Sequence, residues 1–285
     1  MDLTTISNHY DDPDFSAFYK DTLGLKGNHI GLYMANTHAE NQNTTIEEMQ
    51  LGQTKKTDLL IFFIKNYLNI SYHYIVSVDF GSGYGETIRR IYNEIKEIKR
   101  DNNNKYSECV LYSYDISSEN CSTNNIINFK ENVPIRLYNR DFTETLFEDG
   151  SVNLVLSEES FHQVQDKLKL ICEIMRVLSK VNGYLIFSDI FLKENNTCEE
   201  NSFVQKTLGL TAIQTFSEFR NLAEENHLKY CNAIYYSTDI LLHYSNLLYI
   251  AKQNKLPDKI INYLKNWIEC SKYLDVGIFV FKKGY

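Results

Sequence analysis

Proline is scarce in this chain, three residues in 285, and the three are widely spread. No stiff polyproline linker can form, and nothing marks a point at which to cut the chain into independent halves. Six cysteines are present (Cys109, Cys121, Cys172, Cys198, Cys231, Cys270), but never as C-x-x-C, and no two of the seven histidines stand four apart. Both absences argue against a zinc site, and the scattered thiols read as the reduced set of a cytoplasmic protein. A net charge of −8 with no Lys/Arg stripe to offset it argues against a nucleic-acid surface. The longest apolar run, LLIFFI at Leu59–Ile64, is far short of the roughly 20 residues that cross a bilayer. The opening MDLTTISNHYDD is acidic and polar, unlike a secretory or mitochondrial signal. These absences lead us to expect a soluble, cytoplasmic chain with neither a nucleic-acid nor a membrane partner.

What is present is an alternation of strand and helix signals through the middle of the chain. YIVSVDF (Tyr74–Phe80), CVLYSYD (Cys109–Asp115), Val133–Asn139, VNLVLS (Val152–Ser157) and the run opened by Gly183 read as five strands. Between them, Ile88, Ile91, Ile95 and Ile98 recur at helical spacing. A weaker helical stretch covers Asn120–Lys130, and Asp166–Lys180 carries Leu168, Ile171, Met175 and Leu178 at the same period. Strands alternating with helices of this length predict an α/β fold, a parallel sheet with helices on both faces. Later, Tyr230–Thr238 and Val276–Lys282 read as strands separated by two helices, Ile240–Lys255 and Pro257–Tyr273. We therefore expect an N-terminal helical cap over residues 1–70, a core over 71–192, and a helical lid with the last strands over 193–285, all in one structural domain.

The first strand ends in GSGYG, three glycines within five residues. A glycine turn at the carboxyl edge of such a sheet lets the main chain approach a ligand, and the following helix offers free N–H groups. A dinucleotide, a nucleoside triphosphate, another nucleotide-like cofactor and a plain tight turn all compete. The spacing G-x-G-x-G is not the G-x-G-x-x-G of dinucleotide folds, and no Lys-Ser/Thr follows as in a phosphate-binding P-loop. Asp115 ends the next strand, where a carboxylate can accept ribose hydroxyls. It lies further along than the dinucleotide pattern sets, an excess that the polar loop RDNNNK (Arg100–Lys105) can absorb. Asp141 and Phe142 follow the third strand, placed to meet the amino group and the ring face of an adenine.

VDFGSGYG, YSYDIS, NRDF and the stretch VNLVLSEESFHQVQDKLKLICEIMRVLSKVNGYLIFSDIF together resemble the class I S-adenosylmethionine-dependent methyltransferases. YDDPDFSAFYKDTLGLKGNHIGLY, LLHYSNLLYI and NYLKNWIE look like the glycine, sarcosine and dimethylglycine N-methyltransferase group, whose relatives include phosphoethanolamine methyltransferases. The resemblance implies a Rossmann-like seven-stranded sheet ending in an antiparallel hairpin, with S-adenosylmethionine as cofactor and S-adenosylhomocysteine as its product. It implies that Gly81, Ser82 and Gly83 line the methionine part. Asp115 and Ile116 would bracket ribose and adenine, Asp141 and Phe142 the adenine edge, and Ser157 would lie by the amino group. Tyr19 and the His29-Ile30-Gly31 turn would close over the methyl-donating end. Two stretches depart from the pattern: Leu23, Gly24 and Leu25 replace a tryptophan and paired glycines, and His162-Gln163 replaces a leucine–histidine pair. The second displaces the histidine by one residue, about 100° on a helix.

Methyl transfer from a sulfonium needs acceptor lone pair, methyl carbon and sulfur in line, in a site cleared of water. It needs neither metal nor covalent nucleophile. An amine acceptor must lose a proton, and Glu158, Glu159 and His162 follow the fourth strand where such a group is wanted. Glu159 could hold a cationic amine and His162 could take its proton, against the plainer reading of first-turn helix acids and a packed histidine. Tyr10, Tyr19, Tyr33 and Tyr244 are candidates to face a small-molecule acceptor through cation–π contact. The leading expectation is N-methylation of a small glycine-, sarcosine- or dimethylglycine-like amine. The competing ones are O- or C-methylation, a lapsed enzyme kept as a cofactor-binding partner subunit, and a nicotinamide oxidoreductase disfavoured by the glycine spacing.

Overall fold

The computed structural model describes residues 3–24, 29–33, 45–68, 74–101 and 108–284. Seven strands form one sheet in the order β3-β2-β1-β4-β5-β7-β6. They are β1 (Tyr74–Phe80), β2 (Glu108–Asp115), β3 (Ile135–Asn139), β4 (Leu154–Glu158), β5 (Tyr184–Leu192), β6 (Leu228–Tyr235) and β7 (Leu274–Lys283). The first five run parallel, while β7 inserts antiparallel between β5 and β6. This is the expected sheet, closing hairpin included. Strand order reverses between β1 and β4, and a crevice opens there at the carboxyl edge.

Local chemistry sets the strand limits. The third strand begins at Ile135 rather than Val133 because Pro134 has no N–H for the ladder. The fourth starts two residues later than the apolar run suggests, since Val152 pairs in an isolated bridge with Leu178, and it extends one residue further, to Glu158. Both faces of β4 and β5 are covered, which accounts for their unbroken apolar sequence. A buried phenylalanine cluster joins them to the C-terminal strands, with Phe187 among Phe161, Phe219, Phe279 and Phe281.

Two short helices, α1 (Leu3–Tyr10) and α2 (Pro13–Ala17), run into a π-helical turn, Phe18–Thr22. The long α3 (Ile46–Tyr67) starts at a capping box made by Thr45 and Glu48, and absorbs the LLIFFI run. Its inner face carries Met49, Gln53, Lys56, Leu60 and Ile64 at helical spacing. Next come α4 (Glu86–Asp101), α5 (Ser118–Glu131) and α6 (Lys167–Val177). In α6 the buried face is Leu170, Ile171, Ile174 and Val177; Leu168, which the pattern assigned inward, is exposed. The sequence holds two overlapping i, i+3/i+4 stripes there, and packing selects the one richer in branched apolar residues. Four further helices, α7 (Cys198–Leu208), α8 (Phe216–Glu225), α9 (Thr238–Gln253) and α10 (Asp258–Cys270), complete the chain. Leu25, Tyr72 and most of the RDNNNK loop lie outside the described residues. Among the described residues no helix is long and apolar enough to cross a membrane.

Candidate active site

The GSGYG turn bends between β1 and α4 with Gly81, Gly83 and Gly85 all at positive φ. Two of the three also have no room for a side chain: a Cβ at Gly81 would strike Ser160, and one at Gly85 would strike Asn124. Gly83 is different. A Cβ there would meet nothing within 4 Å, because this residue faces a cleft of about 580 Å³. The turn is braced from behind by buried Arg89, which donates to the Tyr84 carbonyl and to the side-chain oxygens of Asn124 and Asn128.

Gly81, Ser82, Gly83, Asp115, Ile116, Asp141 and Phe142 all line this cleft. Asp115 accepts from the Gly83 N–H (2.7 Å) and the Ser117 N–H (2.8 Å), so one carboxylate ties the glycine turn to the start of α5. Burial pushes its carboxyl up to about 6, although those N–H groups pull the other way. Asp141 closes a local turn by accepting from the N–H and hydroxyl of Thr143 at 2.8 Å each, leaving lone pairs for a ligand. Phe142 lies flat against Phe80, with ring centroids 5.2 Å apart.

Ser157 departs from expectation. Its hydroxyl is buried and donates to the Phe80 carbonyl, and it lines neither this cleft nor the smaller cavity beyond it. Because side chains alternate along β4, the next residue, Glu158, takes the lining position.

A charged knot closes the inner end of the cleft. Lys56 of α3 is wholly buried and reaches Glu158 (3.1 Å) and Glu159 (3.2 Å). His29 meets Glu158 at 3.3 Å and is held by α3, whose Gln53 donates to the His29 carbonyl. Burial alone would raise Glu158, but His29 and Lys56 outweigh it and hold the carboxyl below its ordinary value. Glu159 sits at φ 52°, a left-handed conformation costing about 1–2 kcal/mol for a residue with a side chain. That turn brings its carboxylate under the Ile30 N–H, at 2.9 and 3.0 Å. The plainer reading of these two glutamates as solvated helix acids does not hold: both are buried at the cleft.

Beyond the knot lies a second cavity of about 150 Å³ that shares Tyr10, His29, Glu159 and Gln163 with the first. Tyr19, Ile30, His162 and Tyr244 line it, four more of the expected residues, along with Tyr263, Trp267 and His243. His162 belongs to a 3-10 turn (Phe161–Gln163) rather than a helix start, so its one-residue displacement leaves it in this cavity. Asp189, within β5, accepts from the His162 N–H (2.9 Å) and contacts its Nδ1 at 2.6 Å. A carboxylate on Nδ1 fixes the proton there and leaves Nε2 as the basic nitrogen.

Gly31 and Tyr33 do not line either cavity. Gly31 packs on the Gly52 backbone of α3, and Tyr33 is buried with its hydroxyl 2.7 Å from His243 Nδ1. Burial pushes His243 down to about 3, so it is neutral and accepts at Nδ1 from both Tyr33 and the Gly31 N–H. Tyr33 therefore serves to dock the turn onto α9. Tyr10, at the end of α1, accepts from Gln163 (2.7 Å), while Asp11 accepts from Ser117 (2.6 Å) and the Glu119 N–H (3.1 Å). Lys20 pairs with Glu119 and lies 5.4 Å above the Tyr84 ring. These contacts hold the N-terminal helices over the cleft. Sequence reasoning missed Lys56, Asp189 and Asp79. The first two stand on distant segments and carry no motif; Asp79 stood beside the glycines and was read only as strand.

The cleft suits a ligand bearing positive charge. Among the described residues, Asp79, Glu86, Asp115, Asp141, Glu158, Glu159 and Asp166 line it against a single lysine, Lys169. Asp79 Oδ1 is buried with no hydrogen-bond partner among the described residues, and burial with Glu158 and Asp115 nearby pushes that carboxyl well above its ordinary range. An ammonium in the cleft would satisfy it. This acid-rich lining fits S-adenosylmethionine, for which Asp79, Asp115 and Asp141 would supply acceptors and Phe142 a ring face.

Comparison with known proteins agrees. Residues 78–187 match a methyltransferase domain family. Dimethylglycine N-methyltransferase of Parasynechococcus marenigrum is 24% identical over 185 residues, which is 64% of this chain and 57% of that protein. The chain therefore spans under two thirds of the length of this curated relative. A candidate sarcosine dimethylglycine methyltransferase from Galdieria sulphuraria superposes with a TM-score of 0.80 at 20% identity, covering 96% of this chain and 99% of the other. Geranyl diphosphate C-methyltransferase from Streptomyces coelicolor, solved with S-adenosyl-L-homocysteine, gives 0.73 at 16% identity, covering 99% and 97%. The matched domain over residues 78–187, the strand order and the acid-lined cleft together support a class I S-adenosylmethionine-dependent methyltransferase.

Proposed function

We propose that this protein transfers a methyl group from S-adenosylmethionine to the nitrogen of a small amine in the cytoplasm. The observation that carries the reading is the pair of joined cavities, an acid-lined cleft and a small aromatic compartment, meeting at Glu159. Bound in the cleft, S-adenosylmethionine would supply an electrophilic methyl: the N–C bond forms, the S–C bond breaks with its electron pair on sulfur, and a nitrogen proton must leave. Glu159 can hold a cationic nitrogen at the junction, and Nε2 of His162 can take the proton. The helices before β1, our proposed cap, exclude water through Tyr10 and Tyr19. An amine acceptor is favoured over oxygen or carbon because the compartment presents carboxylate and aromatic faces, which attract ammonium groups. All six cysteines are free, as a reducing compartment would keep them.

Labelled S-adenosylmethionine offered with a panel of small amines tests the reading, alongside calorimetry with S-adenosylhomocysteine and NAD. We expect transfer to nitrogen and binding of S-adenosylhomocysteine but not NAD. Gly83→Val, which places bulk in the cleft at a left-handed φ, should abolish that binding. Transfer to no acceptor despite good binding would favour the lapsed enzyme, and NAD binding alone would overturn the family's chemistry here.

The raised carboxyl of Asp115 gives a pH dependence. Because the folded protein holds this proton more tightly than an unfolded chain, Asp115 destabilises the free protein above about 6 and the deficit fades toward pH 3.8. A ligand whose hydroxyls donate to the carboxylate must compete with that proton. Affinity for S-adenosylhomocysteine should therefore fall about tenfold between pH 7.5 and pH 5, one pH unit below the titration. Calorimetry at the two pH values measures this, and Asp115→Asn should flatten it.

A further inference from the structure

We infer that the acceptor is a small amine carrying no carboxylate or phosphate, a cationic or neutral head such as an amino alcohol rather than an amino acid. The inference rests on the proposed methyl transfer and narrows it. The amines that the sequence resemblance brings to mind, glycine, sarcosine and dimethylglycine, all carry a carboxylate. An anionic group in a confined site needs a cation or a fork of donors. Among the described residues, neither lysine nor arginine lines the 150 Å³ compartment. Lys56, which pairs with the shared residue Glu159, is wholly buried and already faces two carboxylates, at 3.1 and 3.2 Å.

The four histidines of the compartment do not change this. His243 is neutral through burial, and burial also lowers His9. His29 faces Glu158 at 3.3 Å, and His162 faces Asp189 at 2.6 Å, so a proton on either would be matched by a carboxylate already there. Among the described residues, Glu158, Glu159 and Asp189 stand against Lys56 alone as fixed charge, an excess of negative sign at the junction of the cavities. The remaining wall is aromatic and apolar: Tyr19, Tyr244 and Tyr263, with Trp267 stacked on Tyr244 at 4.7 Å and 6°. Ring faces and a carboxylate suit an ammonium, and they repel an acid. Size sets a further bound. A cavity of about 150 Å³ is one that takes a benzene-sized guest, so the group held there has about six heavy atoms.

Matched pairs that differ only in the acid test this: dimethylaminoethanol against dimethylglycine as methyl acceptors, and choline against betaine as unreactive probes of the same compartment. With labelled S-adenosylmethionine, dimethylaminoethanol should exceed dimethylglycine at least tenfold in kcat/KM. In calorimetry on protein saturated with S-adenosylhomocysteine, choline should bind at least tenfold tighter than betaine, and Glu159→Gln should erase most of that margin. Equal or better use of the carboxylate partner, or no binding by either probe, overturns the inference. If no amine accepts a methyl group, the proposed activity fails, while the choline–betaine comparison still decides the pocket's charge preference.

Discussion

Lys56→Met should destabilise the protein by about 3–5 kcal/mol, the size typical when one partner of a buried ion pair is removed. In a chain of this length that corresponds to a fall in melting temperature of about 10 °C. The reason lies in what is left behind. Lys56 is the fixed cation that Glu158 and Glu159 share, and without it two buried carboxylates are left together, with only His29 beside Glu158. Methionine fills the volume, so a packing defect is not the main effect. In the native protein burial pulls Lys56 down, but the two glutamates outweigh it and raise its ammonium above the ordinary 10.5, a contribution lost only as pH rises past that value. Glu158, held below 4.5, contributes above that pH and loses its contribution on acidification. In Lys56→Met the sign for Glu158 reverses. Uncompensated, its folded-state carboxyl rises, and the variant regains stability as it takes up a proton. Thermal melts should therefore show the gap to wild type narrowing from pH 8 to pH 5, and Glu158→Gln in the variant background should restore part of the loss. A gap independent of pH, unmoved by Glu158→Gln, would mean that Lys56 acts only as packing.

The sheet and the cofactor cleft were legible in the sequence because their signals are local. A β-rich run ending in glycines, then an acid at the end of each of the next two strands, places Gly83, Asp115 and Asp141 at one edge once a parallel sheet is assumed. The second cavity was only partly legible. Tyr19, His162, Glu159 and Tyr244 were recognised as residue types in suggestive places, but Tyr33 was not separable from them, since a tyrosine's sequence context does not say whether its ring meets a ligand or a helix. Lys56 shows the limit most clearly. It stands in a lysine pair, KK, on a helix that otherwise reads as amphipathic, and only the folding of α3 against β5 carries it more than 100 residues along the chain to Glu158. The helices α7 and α8 were missed for another reason. Their capping boxes, Thr197 with Glu200 and Thr215 with Glu218, were in the sequence and could have been read. Ser157 failed by one position, because a strand end fixes a side chain's direction and the apolar run stopped one residue before the strand did.

His162→Ala should lower kcat/KM for an amine acceptor by about 10²–10⁴-fold, the range for a lost general base, while leaving S-adenosylhomocysteine affinity within about twofold. The two effects separate because His162 lines only the small compartment and has no contact with the cofactor cleft. Asp189 anchors it twice, through the ring Nδ1 and the main-chain N–H, and a third N–H, from Ile190, completes the carboxylate's shell. An amide at this position would turn one N–H toward those donors, so Asp189→Asn should reproduce much of the kinetic loss and also lower the melting temperature. A residue that merely shapes the pocket would give a loss that does not depend on pH. A base gives a different signature: as pH rises, more of the acceptor arrives already deprotonated, and the enzyme's need for His162 shrinks. The ratio of wild-type to His162→Ala kcat/KM should accordingly fall across a profile from pH 7 to pH 9.5. It should also be smaller at any one pH for an acceptor whose ammonium is more acidic. A ratio that stays flat in both experiments would move the proton's path away from His162, leaving Glu159 or solvent reached past Tyr10 to carry it.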